Sequence, residues 1–137
     1  MTAAPRHRLV EIPCKGDARG LLHFAQEPQH IPFTVRRIFY LHRMPPGTSR
    51  GGHAHRLQHQ FLVLLAGSAR IEIDNGQSRQ SVIMDDPGRA LYCPPMLWLE
   101  LGDFSSNALC LVLTSDVYDE ADYIRDAAEF RRLTVLG

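Results

Sequence analysis

The sequence has no excess of either charge: fifteen lysine and arginine residues balance fifteen aspartate and glutamate residues. This balance leaves no basic surface for DNA or RNA, and a membrane surface is equally unexpected as a partner. No apolar stretch approaches the roughly 20 residues that a membrane-spanning helix needs, and the N-terminus lacks the apolar core of a signal peptide. We therefore expect a cytoplasmic protein that binds neither nucleic acid nor membrane.

Cysteine is also scarce, and its three copies, Cys14, Cys93 and Cys110, show no paired spacing. An odd number of scattered cysteines fits a reduced protein better than a disulfide-bonded one. The sequence shows no internal repeat, low-complexity tract or linker. With 137 residues, of which 45% are apolar, the chain is expected to form one domain over residues 1–137.

Short apolar or alternating runs separated by turn residues predict a β protein. The clearest signal is Asn75-Gly76, which follows an alternating run and is the pair most typical of a tight β-hairpin. Apolar residues recur near a 3.6-residue period from Tyr118 to Leu133, which predicts a helix there. Many short strands followed by a closing helix favour an all-β barrel or jelly roll. The predicted strands cover residues 36–41, 60–66, 70–74, 79–84, 90–93 and 107–114.

Three of the seven histidines lie close together, just before an apolar run that ends at Gly67. In a strand, residues two apart point to the same face, so His53 and His55 are expected to project together. Inside a barrel they could serve as metal ligands or as general bases near neutral pH. His59 shares their face only if no bulge intervenes; otherwise it faces solvent on the outer surface.

This spacing resembles the first cupin motif, in which a His-x-His pair is followed by a glutamate and then a glycine. Gln60 stands in the place of the glutamate, and the remnant of the second motif has a leucine in the place of its histidine. A divalent ion would keep only two imidazole ligands, so neither a metal nor another cofactor is expected. A metal-dependent cupin enzyme remains an alternative.

A more specific resemblance comes from Arg50-Gly51-Gly52-His53-Ala54-His55 combined with the run SDVYDEADYIR at residues 115–125. With further matching segments over residues 9–132, the chain is similar to the WxcM-like nucleotide-sugar 3,4-ketoisomerases. The resemblance implies a cupin jelly-roll barrel with a short C-terminal helical segment. It also implies a homodimer that exchanges N-terminal strands, and a metal-free site acting on dTDP-4-keto-6-deoxyglucose. The sugar carbonyl would move from C4 to C3 through an enediol, in the making of unusual hexoses for surface polysaccharides or glycosylated products.

The resemblance also assigns roles to individual residues. His53 aligns with the proposed catalytic histidine, and His55 lines the same pocket. Arg19 and Arg50 are expected near the diphosphate or the sugar, since bidentate arginine contacts suit phosphate oxygens. The remaining expected substrate contacts are Gln60, Tyr40 and Trp98. For Trp98, stacking on the thymine and a place in the core or an interface are both open.

Two positions depart from the family pattern and bear on activity. Relatives often carry a tyrosine at Phe39 and a histidine or arginine at Leu99, so both differences remove a polar group from the expected pocket. Three interpretations follow: a ketoisomerase, a related enzyme for another nucleotide sugar, or a nucleotide-sugar-binding cupin with lost or altered catalysis. His59 could supply a replacement acid. The tyrosines and carboxylates of residues 118–123 are interpreted as a segment that docks the helix.

Overall fold

The computed structural model describes residues 3–136, and this part of the chain forms two five-stranded sheets and one separate two-stranded hairpin. None of its helices is long and apolar enough to cross a membrane. The strands are β1 (Arg8–Glu11), β2 (Cys14–Asp17), β3 (Gly20–His23), β4 (Arg37–His42), β5 (Arg50–His55), β6 (Gln60–Ala66), β7 (Ala69–Asp74), β8 (Arg79–Met84), β9 (Arg89–Cys93), β10 (Trp98–Gly102), β11 (Leu109–Thr114) and β12 (Tyr123–Ile124). The helix α1 covers Ala127–Leu136.

The two sheets face each other as a jelly roll, so the predicted all-β cupin architecture is confirmed. The first sheet has the order β1-β9-β6-β11-β4, and the second has the order β12-β5-β10-β7-β8. Every strand pairing is antiparallel among the described residues. The predicted hairpin is present between β7 and β8, where the Asn75 side chain accepts hydrogen bonds from the backbone N–H groups of Gln77 and Ser78. Gly76 has φ +91 in this turn, a conformation that glycine adopts without strain.

The core between the sheets follows from the two-residue period of the strands. In β7, Ala69, Ile71 and Ile73 are buried, while the residues between them are more exposed. Their partners across the core include Leu62 and Leu64 of β6. Each of these isoleucine and leucine side chains contributes about 1.5–3 kcal/mol on burial, so the alternation determines which face of each strand turns inward.

The C-terminal segment differs from its prediction. Instead of one helix from Tyr118 to Leu133, the chain forms a 3-10 turn at Glu120–Asp122, then β12, then α1. The prediction was wrong in its first half because β12 pairs with β5, which buries Ile124 completely. The Asp126 side chain accepts a hydrogen bond from the N–H of Ala128 at the start of α1, as an N-terminal cap does. The helix then packs on the outer face of the second sheet through Phe130.

Candidate active site

A bulge in β5 directs two polar side chains into the barrel. Leu99 of β10 pairs with His53, but the next pair along the strand involves Gly51, so one extra residue sits in β5. Gly51 has φ +86, and a Cβ there would lie 2.7 Å from the Leu99 carbonyl oxygen, so this position requires glycine. Because a bulge shifts the alternation by one residue, Arg50 and His53 both face the cavity although they are three residues apart.

A cavity of about 400 Å³ lies between the two sheets at this bulge. A volume of this order suits a small-molecule ligand. Its polar lining comprises Ser49, Arg50, His53, Gln60, Tyr123 and Arg125. Its apolar lining comprises Phe39, Leu41, Leu62, Leu99, Leu101 and Val112. Phe39 and Leu99, the two departures from the family pattern, therefore both face the cavity.

His53 is the histidine that borders the cavity. Its ring makes an edge contact with His55, with centroids 5.0 Å apart, and lies 4.9 Å from the ring of Tyr123. Its Nδ1 atom is buried and has no hydrogen-bond partner within residues 3–136. Burial, and then the proximity of His55, lowers the pKa of His53 to about 4. The ring is therefore neutral at neutral pH and can accept a proton.

His55 is directed to the same side but is held by neighbouring groups. Its Nδ1 donates to Asp122 Oδ2 at 3.0 Å, because a carboxylate can only accept. The same carboxylate accepts from the backbone N–H groups of Leu57 at 2.7 Å and Gln58 at 3.2 Å. On the other side of the ring, Nε2 lies 3.3 Å and 3.5 Å from the side-chain amides of Gln58 and Gln60. Burial lowers the pKa of His55, although its hydrogen bond to Asp122 acts in the opposite direction. The residue is 5% exposed and does not line the cavity.

Two cavity residues, Tyr123 and Arg125, were missed by the sequence analysis. Tyr123 lies opposite His55 in the β12–β5 pairing, and its ring centroid is 4.3 Å from that of His55. The Arg125 guanidinium lies 4.3 Å above the Tyr123 ring and contacts both carboxylate oxygens of Glu120, at 2.7 and 2.9 Å. The run SDVYDEADYIR, which carried the family resemblance, contains both residues and was the available signal, but its tyrosines were interpreted as helix-docking residues.

The other predicted site residues divide into two groups. Arg50 and Gln60 line the cavity, as expected. Tyr40 alternates with Phe39 along β4, faces outward and is 62% exposed. Arg19 lies on the β2–β3 hairpin, exposed and 2.6 Å from Asp17.

Trp98 lies on the outer face of β10. It packs against Phe130 of α1, and its Nε1 donates to Glu100 Oε1 at 3.2 Å. Its role within one chain is therefore packing and not stacking on a base. Like Tyr40 and Arg19, it does not reach the cavity of its own chain.

His59 does not join the other two histidines. Its Nδ1 is 2.8 Å from the Tyr92 hydroxyl, and its ring lies 5.9 Å from that of Phe33. Both neighbours belong to the apolar cluster on the outer face of the first sheet. A replacement acid at His59 is therefore excluded by its position, although the residue is half-buried and not fully solvent-facing.

Two facing antiparallel sheets around a cavity that is lined by the first histidine of a His-x-His pair define a cupin-type barrel. The model of the WxcM-like C-terminal family matches residues 5–135, so the chain belongs to this family. The resemblance inferred from the sequence is thereby confirmed. Within residues 3–136, no group of three or more His, Cys, Asp or Glu side chains is placed to hold a metal ion.

Relatives of this chain are 3,4-ketoisomerases of TDP-linked sugars. A curated relative from Aneurinibacillus thermoaerophilus, TDP-4-oxo-6-deoxy-alpha-D-glucose-3,4-oxoisomerase, is 41% identical over 116 residues, which are 85% of this chain and 84% of the relative. The crystal structure of a 3,4-ketoisomerase from Helicobacter canadensis has a TM-score of 0.91 and 36% identity, covering 94% of this chain and 97% of that one. A sugar 3,4-ketoisomerase from Thermoanaerobacterium thermosaccharolyticum, solved with TDP, has a TM-score of 0.92 and 31% identity, covering 95% of each chain.

Proposed function

We propose that this chain is a 3,4-ketoisomerase that moves the carbonyl of a TDP-linked 4-keto-6-deoxyhexose from C4 to C3. The observation that carries the proposal is His53, a neutral imidazole that lines a cavity large enough for a sugar. The activities of the relatives support the same reaction.

In this mechanism His53 removes the proton from C3, which is acidic because the C4 ketone is adjacent. The C–H electron pair forms the C3–C4 double bond, and the carbonyl electrons move to O4. Arg50 and the Gln60 amide, which line the cavity, are donors suited to the developing negative charge. The 3-hydroxyl proton then passes to O4, and the Tyr123 hydroxyl, whose ring lies 4.9 Å from that of His53, is suited to carry it. Collapse of the O3 oxyanion to the C3 ketone accompanies return of the proton from His53 to C4.

The direct test is proton exchange on the expected substrate. We expect the wild-type protein, incubated with TDP-4-keto-6-deoxyglucose in deuterated buffer, to incorporate deuterium at carbon as the 3-keto isomer forms, observed by NMR. His59→Asn is the matched control, because it removes a histidine outside the cavity and should leave exchange unchanged. The absence of both deuterium exchange and 3-keto product at high concentrations of wild-type protein would exclude an isomerase for this substrate.

Phe39 and Leu99 favour a second candidate, a cupin that binds the nucleotide sugar without turning it over. Both residues place apolar surface in the cavity where relatives often carry polar groups. Calorimetry would then show binding of TDP, with no deuterium exchange in the sugar. Activity gained by Phe39→Tyr combined with Leu99→His, from none in the wild type, would establish lost catalysis.

The proposal includes a homodimer with exchanged N-terminal strands. The β2–β3 hairpin pairs with neither sheet among the described residues, and an isolated hairpin is only marginally stable in water. It exposes Leu21 (76%) and Leu22, and the outer side of β4 exposes Ile38 and Tyr40. A second copy would cover these apolar patches, and the exchange would bring Arg19 toward the site of the other copy.

The oligomeric state is tested by sedimentation or light scattering. We expect a dimer for the wild type and a shift toward monomer for Leu22→Glu. Val135→Glu, a similar change at an exposed position of α1, should leave the mass unchanged. A wild-type monomer at micromolar concentration would contradict the dimer while leaving the reaction open.

A further inference from the structure

The two sheets contribute very different groups to the cavity. We use the term histidine wall for Arg50, His53, Tyr123 and Arg125, which come from β5, from β12 and from the residue following β12. We use the term apolar wall for Phe39, Leu41, Leu62 and Val112, which come from β4, β6 and β11 of the facing sheet. The only polar lining of the facing sheet is Gln60, whose amide does not titrate.

Other titratable groups of the first sheet do not reach the cavity. Tyr92 bonds to His59 on the outer face of this sheet. Cys93 and Cys110 belong to the core cluster and not to the cavity lining. Burial raises the pKa of both thiols, that of Cys110 to about 12, so they stay protonated. If the exchanged hairpin brings Arg19 to the site, its guanidinium remains protonated and carries no proton between carbons.

The difference between the two walls determines the stereochemistry of the proposed ketoisomerase reaction. The inference rests on that proposed function. The enediol intermediate is planar at C3 and C4 and lies between the walls, so it presents one face to His53 and Tyr123 and the other to apolar side chains. A proton taken from C3 by the histidine wall can return to C4 only from that wall. Both carbon–hydrogen bonds, the one broken and the one made, therefore lie on the same face of the ring.

We propose that the chain converts a gluco-configured 4-keto-6-deoxy sugar into the 3-keto isomer with galacto configuration at C4. In the substrate the C3 hydrogen points to the α face, opposite to the 3-hydroxyl. When the proton is delivered to C4 on this α face, the new 4-hydroxyl lies on the other face and is axial. A gluco product would need a proton from the apolar wall, which has no group to supply it.

The configuration is read directly from the wild-type reaction in ordinary water by proton NMR. We expect a small coupling between H4 and H5 of the product, because an equatorial H4 is gauche to the axial H5. A large coupling, as between two axial protons, would overturn the inference while leaving the ketoisomerase intact. Failure to form any 3-keto sugar would remove the proposed function and this inference together.

Discussion

His53 and His55 are two residues apart on one strand and face the same side, yet their surroundings differ. His53 lines the cavity, whereas His55 does not, and both nitrogens of His55 have polar neighbours, Asp122 on one side and two amides on the other. A group that must accept a substrate proton has to line the cavity, and a group that holds its neighbours in place does not. A His-x-His pair can therefore separate into a reacting residue and a positioning residue.

The largest effect should come from His53. We expect His53→Asn to lower kcat by about 10²–10⁴-fold, because it removes the general base without changing the packing around Asp122. Thermal unfolding of the variant should stay close to that of the wild type. If kcat falls as far in His59→Asn as in His53→Asn, the assignment of the base is wrong.

The next effect concerns stability and the surroundings of His55. We expect Asp122→Ala to lower the free energy of unfolding by about 3 kcal/mol, since it leaves an imidazole and two backbone N–H groups without their acceptor. Urea denaturation measures this change. Asp119→Ala, which removes only the cap of the exposed 3-10 turn, is the control and should cost about 1 kcal/mol. Equal losses in the two variants would contradict the distinction between buried and exposed carboxylates.

A third effect follows from the lowered pKa of His53. Between pH 6.5 and about 4 the unfolded chain binds a proton at this position that the folded chain does not, so the free energy of unfolding should fall as the pH is lowered through this range. Above pH 6.5 the His53 ring is neutral in both the folded and the unfolded chain, so its contribution to the free energy of unfolding is fully present. His53→Asn should make the decline shallower, and His55, with its pKa lowered as well, should account for part of what remains. Denaturation curves at several pH values measure the slope, and an unchanged slope in the variant would contradict the assignment.

The pH dependence of turnover sharpens the same point. Because His53 acts in its neutral form, kcat/KM should be level near neutral pH and decline only as the pH approaches about 4. An acid limb near pH 6.5 would instead indicate a base with an ordinary histidine pKa.

The sequence predicted those features that depend on neighbouring residues along the chain. The β7–β8 hairpin was predicted because the alternation and the Asn75-Gly76 turn are local signals, and the shared face of His53 and His55 follows from strand parity. The same parity could have excluded Tyr40 from the cavity, since Phe39 and Tyr40 cannot both point inward.

Features that depend on distant pairing were not predictable in this way. The extra residue at Gly51-Gly52 is defined only by the register with β10, and β12 forms only because β5 offers a free edge. Because β12 pairs with β5, the helix prediction failed in this segment. The same pairing brings Tyr123 to the cavity. Similarly, Trp98 acquires its packing role from α1, which contacts it across the outer face of the sheet.

The smallest effect is expected at Glu120, two residues before Asp122 in the same 3-10 turn. Glu120 bonds to Arg125 and Tyr118 in solvent, and these bonds lower the pKa of its carboxyl to about 2. Water already solvates such an exposed pair, so Glu120→Gln should change the stability far less than Asp122→Ala. It should instead release Arg125, which borders the cavity, and so alter KM more than kcat. Steady-state kinetics measure the effect on KM and kcat, and urea denaturation measures the effect on stability. A stability loss as large as that of Asp122→Ala would show that exposure does not distinguish these neighbouring carboxylates.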